Sequence, residues 1–179
     1  MSKLVFGMCG SFCNHSRALA VLEEMVAAGY DITAVISENA GSCDTRFGKA
    51  ADFVGRVEEL TGKKAIRDIV AAEANITGKG FEGGIICPCT GNTLAKLKNG
   101  VTDTAVTMAA KCLLRNDKPL LIALATNDAL GATFVNLAEL RNRKCYHFVP
   151  MSPDDAAKKP NSMICDFTRV KEISDTIWG

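Results

Sequence analysis

Five short apolar runs, none of them alternating with polar residues, constrain the fold of this chain more than any other feature. They are Leu4 to Met8, Ile32 to Ile36, Ile85 to Cys87, Leu120 to Ala125 and Tyr146 to Val149. A strand with one wet face alternates. A strand covered on both faces is apolar throughout, as in a parallel sheet between two helical layers. Helix-like segments lie between the runs. Ser16 to Ala28 puts Leu19, Leu22, Met25 and Val26 on one side, and Gly29 follows to end it in a left-handed turn. Phe47, Ala51, Val54 and Val57 or Glu58 trace a second stripe, closed by Leu60 and Gly62. Asp103 is expected to cap a third helix, with Val106, Ala110 and Leu113 or Leu114 inward. Phe134, Leu137 and Leu140 mark a fourth, and Phe167, Val170, Ile173 and Ile177 a fifth. Strands alternating with helices imply right-handed crossovers. The prediction is an α/β fold: a flavodoxin- or Rossmann-like three-layer sandwich on a mostly parallel, doubly wound sheet.

The 179 residues read as a single domain over 1–179, without repeat, low-complexity tract or Pro/Gly-rich linker. Met151 to Ser162 is the one long irregular stretch and a candidate functional loop. With 21 basic against 20 acidic residues and no basic run, neither nucleic acid nor an anionic membrane is an expected partner. The longest apolar run is far short of the ~20 residues that span a bilayer. The first residues lack a signal-peptide pattern, so the expected location is cytoplasmic. The eight cysteines form no C-x-x-C pair, and only His15 and His147 could join them. Their spacing favours small buried hydrophobes over a disulfide scaffold or a metal site, and no metal is expected.

In an open α/β sheet the ligand lies beyond the carboxyl ends of the strands. The loops there are rich in Ser, Thr, Asn and Gly and poor in strong acids, bases and nucleophiles, which suits an anion better than hydrolysis. Gly7-Met8-Cys9-Gly10-Ser11 reads equally as a phosphate cradle or a plain tight turn. It is neither G-x-G-x-x-G nor a Walker A loop, and Glu38 alone makes no ribose site. Phosphate, sulfate or a flavin phosphate is expected among Gly10, Ser11, Ser37 and Thr90 to Thr93.

The most informative segment is Pro88-Cys89-Thr90-Gly91-Asn92-Thr93-Leu94-Ala95-Lys96, which leaves a strand and opens a helix. It stands where the homo-oligomeric flavin-containing cysteine decarboxylases carry Pro-Ala-Ser-Ala-Asn-Thr. With Gly10-Ser11, Ser37 and Ala125-Thr126-Asn127, the chain resembles that flavoprotein family. Further stretches resemble its branch of dipicolinate synthase B subunits. These are Thr45-Arg46-Phe47-Gly48, Glu58 to Gly62, Met108 to Lys111, Thr126 to Gly131 and Lys158 to Ser162, in order along the chain.

That resemblance implies FMN held by Gly10, Ser11, Ser37, Thr90, Gly91, Asn92, Thr93, Thr126 and Asn127. It implies a homo-oligomer working with a dehydrogenase-like A subunit that carries NAD(P). Together they would oxidise a dihydrodipicolinate-type precursor to dipicolinate in sporulation. Two departures disfavour cysteine decarboxylation: Thr77 to Gly84 holds no histidine, and Pro-x-Met-Asn is replaced by Leu124-Ala125-Thr126-Asn127. Two alternatives stay open, a non-catalytic flavodoxin-like partner with a vestigial phosphate pocket and an FMN-dependent decarboxylase-like enzyme.

A small dicarboxylate substrate would find cations in Arg46, Lys158 and Lys159. Asn92 and Asn127 would orient its ring, and Asp128 would act as base or cap the next helix. Cys89 flanks the crevice, His147 its rim, and Lys96 reaches either an anion or water. The surplus small and apolar residues of the third helix (Ala105, Met108, Ala109, Cys112) point to self-association.

Overall fold

All five apolar runs are strands in the computed structural model, which describes residues 2–179. They are β1 (Lys3–Met8), β2 (Asp31–Ile36), β3 (Gly83–Cys89), β4 (Leu120–Thr126) and β5 (Tyr146–Phe148). All pair in parallel, in the order β2-β1-β3-β4-β5, so the chain winds outward from β1 in both directions. The eight α-helices among the described residues are α1 (His15–Ala27), α2 (Glu38–Ser42), α3 (Ala50–Thr61), α4 (Ile69–Ile76), α5 (Gly91–Asn99), α6 (Ala105–Leu114), α7 (Thr133–Arg141) and α8 (Val170–Trp178).

Each strand divides its residues between two cores. Leu4, Phe6 and Met8 of β1 and Leu121 and Ala123 of β4 face α1, α3 and α8. Val5 of β1 and Leu120, Ile122 and Leu124 of β4 face α4, α5 and α6. The period of two thus persists in direction while both directions are dry, which is why the sequence shows no alternation. Each fully buried Leu or Phe contributes about 1.5–3 kcal/mol relative to exposure.

Three helical readings are corrected. The fully buried face of α3 is Ala50, Phe53 and Val57, with Val54 partly buried against the same core, whereas Ala51 is exposed and Phe47 lies outside the helix, 54% exposed. Asp103 does not cap α6. Thr104 does, in a capping box with Thr107, while Asp103 pairs with Lys96 at 2.8 Å. Of the surplus apolar residues, Ala105, Ala109 and Cys112 are buried within this chain, in the core that α4 closes, and Met108 is partly buried against the same core.

The irregular stretch is also more ordered than expected. β6 (Met151–Pro153) and β7 (Met163–Cys165) form an antiparallel hairpin, and β7 pairs with Ala125 and Thr126 at the end of β4. One edge of β4 is therefore shared, β5 taking its first half and β7 its last residues.

Candidate functional site

β1, β3 and β4 all end at one crevice, and the β6–β7 hairpin walls its open side. Its volume is about 480 Å³. Gly10, Ser11, Thr90, Gly91, Thr126, Asn127 and Lys159 are brought together there. Arg17, Cys13, Phe12, Phe47 and Asp154 line it as well.

The loop after β1 is tightly organised. The Cys9 amide donates to the Pro88 carbonyl and the Ser11 amide to the Cys9 carbonyl, while Asn14 Nδ2 donates to Ser11 Oγ at 3.0 Å. A 3-10 turn over Phe12–Asn14 precedes α1, so the chain does not pass straight from Ser11 into a long helix. A Cβ at Gly10 would stand an ordinary 3.5 Å from the Phe12 ring. Packing among the described residues therefore does not require glycine at this position.

Thr90 caps α5: its side chain accepts the Thr93 amide at 3.1 Å. Thr93 is buried and donates its hydroxyl to Cys9 Sγ, so it fastens two loops from inside rather than facing the crevice. Gly91 has a packing reason for its identity, since a Cβ there would meet the hydroxyls of Thr126 and Thr133 at 2.8 Å. Those hydroxyls both donate to Asp128 Oδ1, at 2.5 and 2.7 Å, and hold its carboxyl below the usual carboxylate range. Asp128 thus makes no side-chain cap to α7, and both hydroxyls engage the same carboxylate oxygen. It lies with Asn92 in a separate shallow hollow behind Gly91.

Other expected residues also fall outside the crevice lining. Ser37 caps α2, accepting from the Ala40 amide. Arg46 is exposed, its guanidinium 4.8 Å from the Phe47 ring centroid. Lys158 is exposed beside Asp155 at 3.9 Å. Lys96 is engaged by Asp103. Cys89 is fully buried and desolvation pushes its thiol well up.

Sequence reasoning missed Arg17 and His15. Arg17 joins Lys159 as the second cation of the crevice; Lys159 is held by Asp154 at 2.8 Å, which keeps it charged. His15 stacks on Phe53 (centroids 4.0 Å apart, 15° between planes), and its Nε2 lies 2.9 Å from the Cys9 carbonyl. Desolvation keeps it below the ordinary imidazole value. It faces a neighbouring pocket of about 250 Å³ that shares Phe12 and Phe47 with the crevice. The one signal available was position, the first turn of the helix that follows the Gly10 loop.

Hydroxyls, two amides and two cations thus line one crevice with the apolar Phe12, Phe47, Met163 and Ile164. This donor set fits a phosphorylated planar group such as a flavin mononucleotide. The Flavoprotein family matches residues 1–179, and the chain belongs to that family. Within it, the chain is a close homologue of the B subunit of dipicolinate synthase. It is 41% identical to that protein of Bacillus subtilis (strain 168) over 162 residues, 90% of this chain and 81% of that one. A crystal structure of the dipicolinate synthase B subunit from Bacillus halodurans C superposes with a TM-score of 0.86 at 31% identity, covering 96% of this chain and 88% of that one. The FMN-dependent cysteine decarboxylase SpaF shares the fold, with a TM-score of 0.72 at 22% identity over 99% of this chain and 95% of that one. The family and these enzyme relatives give the chain an enzymatic or enzyme-associated role. No helix among the described residues is long and apolar enough to cross a membrane.

Proposed function

We propose that this chain acts as a dipicolinate synthase B subunit. It would bind an anionic planar ligand in the crevice while a dehydrogenase-like A subunit, carrying NAD(P), completes oxidation of a dihydrodipicolinate-type precursor in sporulation. The reading rests on the likeness to the Bacillus subtilis protein along nearly the whole chain. The crevice supports the division of labour. Its lining offers many donors, but its only carboxylate, Asp154, is engaged by Lys159. Binding and orientation are therefore this chain's part. Gly10, Ser11, Thr90 and Arg17 would hold the phosphate of FMN, and Asn127 would orient the ring. Bound flavin would supply hydride transfer. Arg46 and Lys158 belong to the proposal only as an outer approach for carboxylates, being set back from the lining.

The reading includes a cytoplasmic location, where eight free cysteines suit reducing conditions. It also includes self-association, now carried by the exposed Leu130 before α7 and Phe134 and Val135 in its first turn rather than by α6. Light scattering of the chain and of Phe134→Glu tests that part, an unchanged mass for the variant counting against it. The main test assays dipicolinate formation with each protein alone and with both, after the purified chain has been inspected for the visible flavin band. Turnover only by the pair is expected. Full turnover by either protein alone would overturn the reading.

A further inference from the structure

Tyr146 opens β5, so the groove it lines lies at the amino ends of the parallel strands, opposite the crevice. The groove is open and holds about 470 Å³, within the range of ~300–1,000 Å³ usual for small-molecule sites. Leu97, Val101, Leu114 and Tyr146 give it an apolar lining from α5, the following loop, α6 and β5. Four cations stand over that lining, Lys111, Arg115, Arg143 and Lys144, and no acidic residue lines the groove.

The cations are not all neutralised from outside. Arg143 is paired with Glu139 at 2.5 Å, and Arg115 reaches Glu73 at 3.8 Å. Lys111 and Lys144 have no ion-pair partner among the described residues. Like charges gathered without counter-charge in a chain of net charge +1 are a local excess, and repulsion among them favours an anion between them. A second observation points to the same ligand. Tyr146 is only 8% exposed, yet its hydroxyl is open to the groove and free to donate, with no hydrogen-bond partner among the described residues. Burial pushes that phenol up to about 12, so it remains a donor at neutral pH.

We propose that this groove is a binding site for an amphipathic anion, separate from the crevice. The ligand is an apolar ring or chain bearing one carboxylate, sulfonate or phosphate. The apolar body lies on Leu97, Val101 and Leu114, and the head accepts hydrogen bonds from Tyr146, Lys111 and Lys144. Because the groove contacts α5, whose other end is the Thr90 cap, occupancy would be felt along the helix that borders the crevice.

The probes are 1-naphthoate and octanoate, titrated calorimetrically into the full chain, with 2-naphthalenemethanol as a neutral control. Saturable binding of one or both anions, without binding of the alcohol, is expected. The aromatic probe alone would define a ring site, octanoate alone a chain site, and both agree with the inference. Lys111→Glu with Lys144→Glu should weaken the anion at least about tenfold, whereas Lys111→Arg with Lys144→Arg should hold it within about twofold. Tyr146→Phe should weaken it severalfold with an unchanged thermal midpoint. No saturable binding, or charge reversal without effect, would overturn the proposal. So would loss of binding on Lys159→Ala with Arg17→Ala, which would put the probe in the crevice. A drop in oligomer mass on the Lys-to-Glu changes in a chain that binds neither probe would make the groove an interface between copies instead, and would overturn it equally. None of these outcomes depends on dipicolinate formation.

Discussion

Thr93 Oγ1 donates to Cys9 Sγ at 3.2 Å, joining the helix start after β3 to the loop after β1 beneath the floor of the crevice. Both residues are buried, and the same Thr93 receives the Thr90 hydroxyl. Replacing Thr93 by Val keeps the volume but leaves the Thr90 hydroxyl and the Cys9 thiol without that partner. A loss of about 1–2 kcal/mol in urea unfolding is expected. A variant as stable as the parent would show that the bond contributes nothing.

The same burial fixes thiol reactivity. Desolvation raises the Cys9 thiol to about 11, so almost none is thiolate at mildly alkaline pH. Iodoacetamide should modify the exposed Cys13 and Cys43 in the native chain and spare Cys9 until denaturant is added. Mass spectrometry of the digested chain reads this directly, and native labelling of Cys9 at the rate of Cys13 would refute it.

Gly91→Ala should be costly although the position is half-exposed. The new Cβ would be driven against two threonine hydroxyls at 2.8 Å and Asp128 Oδ1 at 3.3 Å, all tied to one another. Overpacking of this kind costs roughly 1–3 kcal/mol, measured by denaturation. Gly91→Ala with Thr133→Ala, which removes one of the two hydroxyls in the way, should recover part of it.

His15 carries a pH signature. Its imidazole titrates below the ordinary 6.5 because burial disfavours the charged ring. The unfolded chain therefore takes up the proton first. The stability this group contributes is complete above 6.5 and is lost as pH falls toward the folded value. Two-dimensional NMR should place the His15 midpoint below 6.5. His15→Phe, which can keep the stack on Phe53, should flatten this part of the stability profile.

The cations of the crevice make the anion site testable without any enzyme assay. Lys159→Ala removes a donor and leaves the Asp154 carboxylate unpaired at the crevice wall. Affinity for FMN or inorganic phosphate should fall by about 1.5–3 kcal/mol, as for a lost charged hydrogen bond. Removing Asp154 as well should restore part of the loss, and an unchanged affinity for Lys159→Ala would take the residue out of the site.

Much of the sheet was legible because double burial leaves a mark in every strand: Leu120 to Ala125 has no polar residue to interrupt it. The helix α4 leaves no such mark. Its Ala71 and Ala72 read as weakly apolar, and only Ala72 and Ile76 turn fully inward. With α4 hidden from the pattern, the side of α6 that shares its core looks surplus and reads as a face for another copy of the chain. Three-residue strands such as Met151–Pro153 are too short for any period to show. At the crevice, the loop residues were legible from strand ends alone. Arg17 and His15 were not, because their relation to the crevice depends on the 3-10 turn that sets where α1 begins. Ser37 and Thr93 had the right chemistry, but local capping and a buried thiol already claim their hydroxyls.

The sharing of β4 between two partners also has a temporal side. During synthesis the first four strands have left the ribosome once Thr126 has, and N-terminal segments begin to organise first. The wall that supplies Asp154, Lys159, Ser162 and Met163 arrives only with the hairpin, after β5 has taken the first half of the β4 edge. A chain stopped short of β7 would hold its parallel sheet yet present a cleft with one side missing and only Arg17 as a cation. The crevice is thus walled last by the strands that the ribosome delivers last.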